Sequence, residues 1–206
     1  MKQNNSKVIG VAGGVGSGKS TVLDILRRKH DAVICMADEL GHEVIRPGTA
    51  GFDRIRETFG EAILSSDGEI DREHLARQVY RDPDQLRRLN GIVHPLVLSE
   101  IRKKISERDR RRLFILETAL LFETGCDQLC DEVWGVVTED EIRIQRLMDS
   151  RGYSREKSES IMRNQHSNDT LRSLCKRVLV NDGKLRDLEA QIGAAVENLL
   201  ENSKCI

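Results

Sequence analysis

The feature that most constrains the fold of this chain is a glycine-rich run near its beginning, GVAGGVGSGKSTVLDIL, which starts at Gly10. Residues 13–20 match the consensus G-x-x-x-x-G-K-[ST]. An apolar stretch typical of a strand precedes the match, and a segment with helical periodicity follows it, which is the context that this consensus requires. A strand, a tight glycine loop and a helix are therefore predicted in that order.

This loop, residues 13–20, is suited to binding phosphate and is called the phosphate loop below. Glycines allow successive N–H groups to point at phosphate oxygens, and the start of the next helix adds the positive end of its dipole. Lys19 is predicted to reach the β- and γ-phosphates of a nucleotide, and Ser20 to bind Mg²⁺. Glu117, which ends an apolar run, is a second candidate for Mg²⁺ or its water, or is simply solvated. The predicted nucleotide-binding residues are Gly14, Val15, Gly16, Ser17, Gly18, Lys19, Ser20 and Thr21.

Continuous apolar runs, which are typical of strands covered on both faces, occur five times along the chain. Segments with helical periodicity lie between them, and this alternation predicts a parallel sheet with helices on both sides. The predicted fold class is therefore α/β, with a doubly wound, five-stranded parallel sheet. The predicted strands are 7–12, 32–36, 113–117, 132–137 and 177–180, and the helical segments are 20–29, 96–107, 139–151 and 185–201.

Three local signals predict where helices begin. Thr138 and Glu141 have the spacing of a capping box. Asp38 is predicted to be the N-cap residue of a short helix. Pro95 is predicted to start a helix, with His94 held extended ahead of it.

Two regions interrupt the alternation of strands and helices. Residues 38–107 contain no convincing strand and are predicted to be a helical insertion. Residues 143–176 carry several arginines along helical segments, which fits either a mobile basic flap or a solvated helix pair. The predicted domains are a nucleotide-binding core, the insertion and the flap, and the core comprises residues 1–37, 108–142 and 177–206.

The composition limits the function classes. The 206 residues include 33 Lys or Arg and 34 Asp or Glu, for a net charge of −1, so no nucleic-acid partner is predicted. No stretch approaches the roughly 18 apolar residues that a membrane span needs, and no membrane partner is predicted. The five cysteines are odd in number and irregularly spaced, which favours a reducing compartment and predicts a cytoplasmic protein. A monomer or a small homo-oligomer is expected.

Three classes of protein with such a loop compete. Residues 38–41 formally match the D-x-x-G of GTPases, but the chain contains no N-K-x-D to read guanine. A motor-type ATPase usually needs a larger core. A kinase needs an acceptor-binding part, a lid that excludes water and a base for the acceptor hydroxyl. The insertion and the flap are candidates for the first two, and Asp38, just past the second predicted strand, is a candidate for the base.

Further motifs resemble those of dephospho-coenzyme A kinases over nearly the whole chain. In order they are GGVGSGKST, ADELGHEVIRPG, FG, DGEIDREHLARQVYRD, HP, ALLFETG and NDG. The resemblance implies transfer of the γ-phosphoryl group of ATP to the ribose 3′-hydroxyl group of dephospho-coenzyme A. It also implies a P-loop kinase core with a helical acceptor-binding domain and a helical lid, with ATP and Mg²⁺ at the core.

The resemblance also implies roles for individual residues. Asp38 matches the catalytic base of the family. Arg146 matches the first of two lid arginines, and with Lys19 it would neutralise charge on the phosphoryl group and bind ATP. Asn181 and Gly183 match the loop that contacts adenine. The residues implied to bind the acceptor are Asp38, His42, Arg72, Leu75, His94, Leu120 and Glu123.

The chain departs from the pattern of this family at several positions. Met36 stands where the family has the first aspartate of D-A-D, and His42 and Ala119 replace a common arginine and proline. The second lid arginine is Ser150 here, and Arg151 lies one residue further on, which is a shift of about 100° around a helix. Two alternatives therefore stay open: another small-metabolite or nucleoside monophosphate kinase, and a nucleotide-binding module without catalysis.

Overall fold

A computed structural model of the chain describes residues 7–109 and 112–201. Its strands are β1 (Val8–Ala12), β2 (Val33–Met36), β3 (Phe114–Glu117), β4 (Glu132–Val137) and β5 (Arg177–Val180). They form one sheet in the order β2-β3-β1-β4-β5, and the pairs β1–β3, β1–β4 and β4–β5 are parallel. The predicted α/β fold with five strands in a parallel sheet is confirmed.

The helices fall into two groups along the chain. The first group is α1 (Lys19–His30), α2 (Ala37–Glu43), α3 (Ala50–Phe59), α4 (Arg72–Val79) and α5 (Pro83–Glu107). The second group is α6 (Asp140–Arg151), α7 (Arg155–Arg163), α8 (Asn168–Leu174) and α9 (Leu185–Glu201). Within residues 7–109 and 112–201, none of these helices combines the length and the apolar character needed to cross a membrane.

The sheet places the phosphate loop at its centre. All five residues of β1 are buried, and β1 has β3 on one side and β4 on the other. In open parallel sheets, ligands bind beyond the carboxyl ends of the strands, at the point where the strand order reverses. The loop that follows β1 begins at this point.

Of the described residues, those up to Cys35 and from Arg108 onward form one compact unit, and Met36–Glu107 forms another. The core of the first unit packs both α1 and α9 against the sheet. Its fully buried members include Ile9, Leu26, Ile115, Trp134 and Ile192. The predicted flap, residues 143–176, falls within this unit, and its separation as a lid stays a prediction.

The second unit is helical and has an apolar core of its own. This core includes Phe52, Ile55, Ile63, Leu75 and Val79. Apart from Met36, the last residue of β2, and an isolated bridge between Leu64 and Ile70, the described residues of this unit contain helices and loops only. The predicted insertion, residues 38–107, lies inside this unit, and its role in binding the acceptor stays a prediction.

The predicted capping box at Thr138 is wrong. Helix α6 begins at Asp140, and its N-cap residue, Glu139, makes no side-chain capping bond. Thr138 is fully buried, and its hydroxyl donates to the carbonyl oxygen of Ser17 at 3.0 Å instead. The N–H of Glu139 donates to Asp182 Oδ1 at 2.8 Å, so a distant part of the chain caps this helix.

The other two predicted helix starts are also wrong. Met36 is the N-cap residue of α2, and Asp38 lies in the first turn, where a carboxylate interacts favourably with the helix dipole. Pro95 lies inside α5, which begins at Pro83, and His94 is therefore helical. Pro83 takes the first position of α5, where proline is favoured. Packing of α5 on α2, α3 and α4 supports the helix across Pro95.

Two residues of α9 test how this core stabilises the first unit. Ile192 is 0% exposed in the core, whereas Leu185 is 56% exposed at the start of the same helix. We expect Ile192→Ala to lower the free energy of unfolding by about 2–5 kcal/mol, because it leaves a cavity. Leu185→Ala should change it by less than about 0.5 kcal/mol. Urea unfolding followed by circular dichroism measures both, and equal effects would contradict this assignment of the core.

Candidate active site

The phosphate loop joins the central strand β1 to α1. Gly16 and Gly18 have φ angles of 78° and 89°, in the left-handed region where residues with a side chain are strained. Gly18 is the N-cap residue of α1, and because glycine has no side chain, the N–H groups of the first turn have no side-chain cap from it. A bound anion can therefore occupy the place that a capping side chain takes in other helices.

The side chain of Lys19 extends along the phosphate loop towards its first residue, Gly13. Its Nζ donates a hydrogen bond to the carbonyl oxygen of Gly13 at 2.8 Å and lies 3.9 Å from Glu117 Oε1. Glu117 is buried at the end of β3, and the strand register places it opposite Val11 of β1. The sheet thus brings an ammonium group and a carboxylate together beside the phosphate loop.

Two oxygen donors near the loop fit Mg²⁺. Ser20 is exposed in the first turn of α1, and its hydroxyl and the carboxylate of Glu117 are of the kind that this ion prefers. In the part of the chain that the structure describes, no three His, Cys, Asp or Glu side chains are grouped to hold a metal ion. Mg²⁺ usually takes one or two protein carboxylates and completes its shell with phosphate and water.

Arg146 of α6 connects the phosphate loop to the end of β5. Its Nη1 donates to the carbonyl oxygen of Gly16 at 3.3 Å, and its Nη2 donates to that of Asn181 at 2.9 Å. Ser150 donates its hydroxyl to the carbonyl oxygen of Arg146 at 2.5 Å, and Arg151 is exposed at the end of the helix. Arg146 therefore places a positive charge next to the loop.

Asn181 supports the loop with its side chain. Its Nδ2 donates to the carbonyl oxygen of Ser17 at 2.8 Å, and a Cβ atom on Gly18 would collide with this nitrogen. Gly183 is exposed in the turn that follows. The predicted contact of Asn181 and Gly183 with adenine stays a prediction, while the support of the loop by Asn181 is a structural role that the sequence did not indicate.

Five of the predicted acceptor-binding residues lie in the second unit. Asp38 and His42 are exposed on α2, and Arg72 is exposed at the start of α4. His94 is half-buried within α5. Leu75 is buried in the helical core of this unit, so it offers a ligand little surface.

The other two predicted acceptor-binding residues follow β3 in the first unit. Leu120 is exposed, and so is Glu123. Glu123 Oε1 lies 3.1 Å from Nε2 of His166, whose ring packs edge-on against Phe122 with 5.6 Å between ring centroids. The segment after β3 therefore contacts the turn between α7 and α8.

Residues 7–187 match the family model of dephospho-CoA kinase. The chain belongs to this family. A dephospho-CoA kinase of Carboxydothermus hydrogenoformans is 37% identical over 90% of this chain and 90% of its own length. Another, of Symbiobacterium thermophilum, is 38% identical over 92% of this chain and 80% of its own length.

Solved structures share the fold of this chain. The crystal structure of TT1252 from Thermus thermophilus is 32% identical, with a TM-score of 0.79 over 94% of this chain and 98% of that one. Dephospho-CoA kinase from Campylobacter jejuni has a TM-score of 0.73 at 20% identity, over 96% of this chain and 98% of its own, and shows the shared fold. The predicted family is confirmed, and a kinase family implies ATP as a substrate.

The sequence analysis did not predict three residues that contact the phosphate loop. Thr138 binds the carbonyl of Ser17, while Arg143 and Gln165 both bind the backbone of Val15. Thr138 was assigned to a helix cap, and the other two belong to the predicted flap. A signal was nevertheless present, because Gly14 is not required by the consensus and a glycine in such a place often marks the close approach of another group.

The contact of Asn181 with Gly18 leads to a test of the phosphate loop. In Gly18→Ala the unfavourable φ and the collision with the Asn181 amide act together, so the loop must shift. We expect the Kd for ADP to rise by about tenfold or more, the equivalent of the 1–3 kcal/mol of a strained backbone. Isothermal titration calorimetry measures this Kd.

A matched control for Gly18→Ala is Gly68→Ala. Gly68 has a φ of 80°, but nothing lies within 4 Å of its would-be Cβ atom, and it lies in an exposed turn of the second unit. This variant should lose about 1 kcal/mol of stability and keep its affinity for ADP. Equal affinity for ADP in both variants would show that the contact at Gly18 does not shape the nucleotide site.

Proposed function

We propose that this protein transfers the γ-phosphoryl group of ATP to the ribose 3′-hydroxyl group of dephospho-coenzyme A, giving coenzyme A and ADP, the last step of coenzyme A synthesis. The observation that carries the proposal is the match to the dephospho-CoA kinase family over residues 7–187. The phosphate loop supports it, because its geometry suits the triphosphate of ATP.

In the proposed reaction, the acceptor oxygen forms a bond to the γ-phosphorus as the bond to the β-phosphate oxygen breaks. Negative charge is spread over the oxygens of the phosphoryl group in the transition state, so positioning and electrostatic stabilisation supply most of the acceleration. Lys19 and Arg146 are the proposed sources of positive charge. Their support is their position, since both donate hydrogen bonds to carbonyl groups of the phosphate loop.

Ser20 and Glu117 are the proposed protein ligands of Mg²⁺ or of its bound water. When bound, this ion neutralises charge on the β- and γ-phosphates. Glu117 also lies beside Lys19, so its carboxylate holds the ammonium group near the loop. A buried carboxylate with a cation beside it suits this position, since an unpaired buried charge is costly.

Asp38 is the proposed base that takes the proton of the acceptor hydroxyl. It is exposed in the first turn of α2, two residues after the end of β2. The carboxyl ends of parallel strands are where catalytic groups of such folds are placed. In a loose transition state the acceptor oxygen carries little bond order to phosphorus, so a carboxylate that orients the hydroxyl and accepts its proton late is sufficient.

The acceptor is proposed to be bound by His42, Arg72, His94, Leu120 and Glu123 together with Asp38, whereas the implied contact of Leu75 stays a prediction because this side chain is buried in the helical core. Dephospho-coenzyme A carries a diphosphate, for which the guanidinium of Arg72 is a suitable partner. Exposed Leu120 suits an apolar part of the acceptor. We place the reaction in the cytoplasm, and support for this is the odd number and irregular spacing of the five cysteines.

A panel of acceptors tests this function. We expect ADP release from ATP with dephospho-coenzyme A and none above background with AMP, CMP, UMP or shikimate. A coupled spectrophotometric assay measures the release. Turnover with a nucleoside monophosphate would instead make the protein a nucleoside monophosphate kinase, and tight ATP binding without turnover on any acceptor would make it a nucleotide-binding module.

The base is tested by Asp38→Asn. This variant should bind ATP normally, while phosphoryl transfer to dephospho-coenzyme A falls by about 10²- to 10⁴-fold, because the amide cannot accept the proton. Glu39→Gln is the matched control, since Glu39 is an exposed acid in the same first turn of α2. It should keep its turnover. Nearly normal turnover in Asp38→Asn would assign the base to another group.

A further inference from the structure

Two side chains of the 143–176 segment hold both backbone groups of Val15. Nε of Arg143 donates to the carbonyl oxygen of Val15 at 3.0 Å, and the N–H of Val15 donates to Oε1 of Gln165 at 2.9 Å. Nη2 of Arg143 also donates to Oε1 of Gln165, at 3.1 Å. The three bonds form a closed group around one residue of the phosphate loop, and Arg143 and Gln165 are called the Val15 clamp below.

Arg143 is a buried cation whose hydrogen bonds in the clamp matter for its burial. Its side chain is buried, with the residue 3% exposed, and it forms an ion pair at 3.4 Å with the mostly exposed Asp140. Burial lowers the pKa of Arg143 because it removes water from the guanidinium. A buried guanidinium is costly unless its N–H groups are bonded, so the bonds to Val15 and Gln165 compensate its burial and fix its position.

The loop is shaped to admit the clamp. A Cβ atom on Gly14 would collide with Nη2 of Arg143 and would lie 2.8 Å from Oε1 of Gln165. A Cβ atom on Gly16 would lie 3.0 Å from the backbone oxygen of Arg143. The consensus for phosphate binding requires glycine at neither position. Gly14 therefore serves the approach of the clamp to the loop, and Gly16, whose φ of 78° already favours glycine, also leaves room for α6.

We infer that Arg143 and Gln165 are positioning residues that hold the phosphate loop in the shape that binds nucleotide. A loop that is ordered before binding loses less conformational entropy when the ligand arrives. Release of the clamp therefore weakens the binding of ATP and ADP much more than it slows phosphoryl transfer. The inference rests on the proposed function only in that ATP is the nucleotide.

Gln165→Met tests the clamp with little risk to folding. Gln165 is exposed, and methionine has a similar length but no oxygen to accept the N–H of Val15 or of Arg143. We expect the KM for ATP and the Kd for ADP to rise by about three- to tenfold, and kcat to stay within about twofold, in line with the loss of one or two hydrogen bonds. Hydrogen exchange of the Val15 amide, followed by NMR, should become about tenfold faster, as expected when a bonded N–H is exposed to water.

Two further variants separate the acceptor role of Gln165 from a general effect on stability. Gln165→Glu keeps oxygens that accept from Val15 and Arg143, so the Val15 amide should exchange at the wild-type rate. Gln145→Met is the matched control, because Gln145 is exposed on α6 and its amide bonds Asp149 at 2.8 Å, away from the loop. It should change neither Val15 exchange nor the Kd for ADP.

Two results would contradict the role of the clamp. Unchanged Val15 exchange and unchanged ADP affinity in Gln165→Met would overturn the inference, as would a fall in kcat larger than the rise in KM. ADP affinity and amide exchange do not depend on the acceptor. If the wild-type protein fails to phosphorylate dephospho-coenzyme A, the proposed function fails while these two measurements still decide whether the clamp exists.

Discussion

The carbonyl oxygen of Ser17 is the point at which three strand ends of this fold are joined. Ser17 follows β1, and its oxygen accepts hydrogen bonds from the Thr138 hydroxyl after β4 and from the Asn181 amide after β5. A buried carbonyl that lost these donors would cost free energy, so the loop cannot move independently of the sheet. Through these hydrogen bonds, the positions of β1, β4 and β5 in the sheet determine the shape of the phosphate loop.

This rigid attachment also explains why so much positive charge can lie around the loop. Lys19, Arg143 and Arg146 each donate to a carbonyl oxygen of residues 13–16, and the buried carboxylate of Glu117 lies beside Lys19. Backbone oxygens solvate these cations without cancelling their charge. A polyanion such as a triphosphate then meets dipoles and charges that are already oriented, which is the condition under which electrostatic stabilisation is strong.

The parts of this structure that the sequence predicted are those set by local pattern. Five continuous apolar runs predicted five strands, and the glycine spacing predicted the loop after β1. The errors arose where a tertiary partner replaced a local one: Thr138 bonds the phosphate loop instead of capping α6, and α5 continues through Pro95. Gln165 was missed because it is a polar residue in a surface turn, 150 positions from the Val15 that it binds. Gly14 indicates that some group approaches the loop, but local spacing does not tell which residue it is. The roles of Asp38 and the acceptor-binding residues depend on a ligand and stay predictions.

The strand order has a consequence for how this chain is made on the ribosome. The central strand β1 emerges first, but its two neighbours, β3 and β4, emerge only after the whole of the helical unit has been synthesised. Until then the backbone of β1 lacks both of the strands that pair with it, whereas α2 to α5 can already pack on one another. We therefore expect nascent chains to carry a folded helical segment beside an unpaired, aggregation-prone strand, a situation in which chaperones bind.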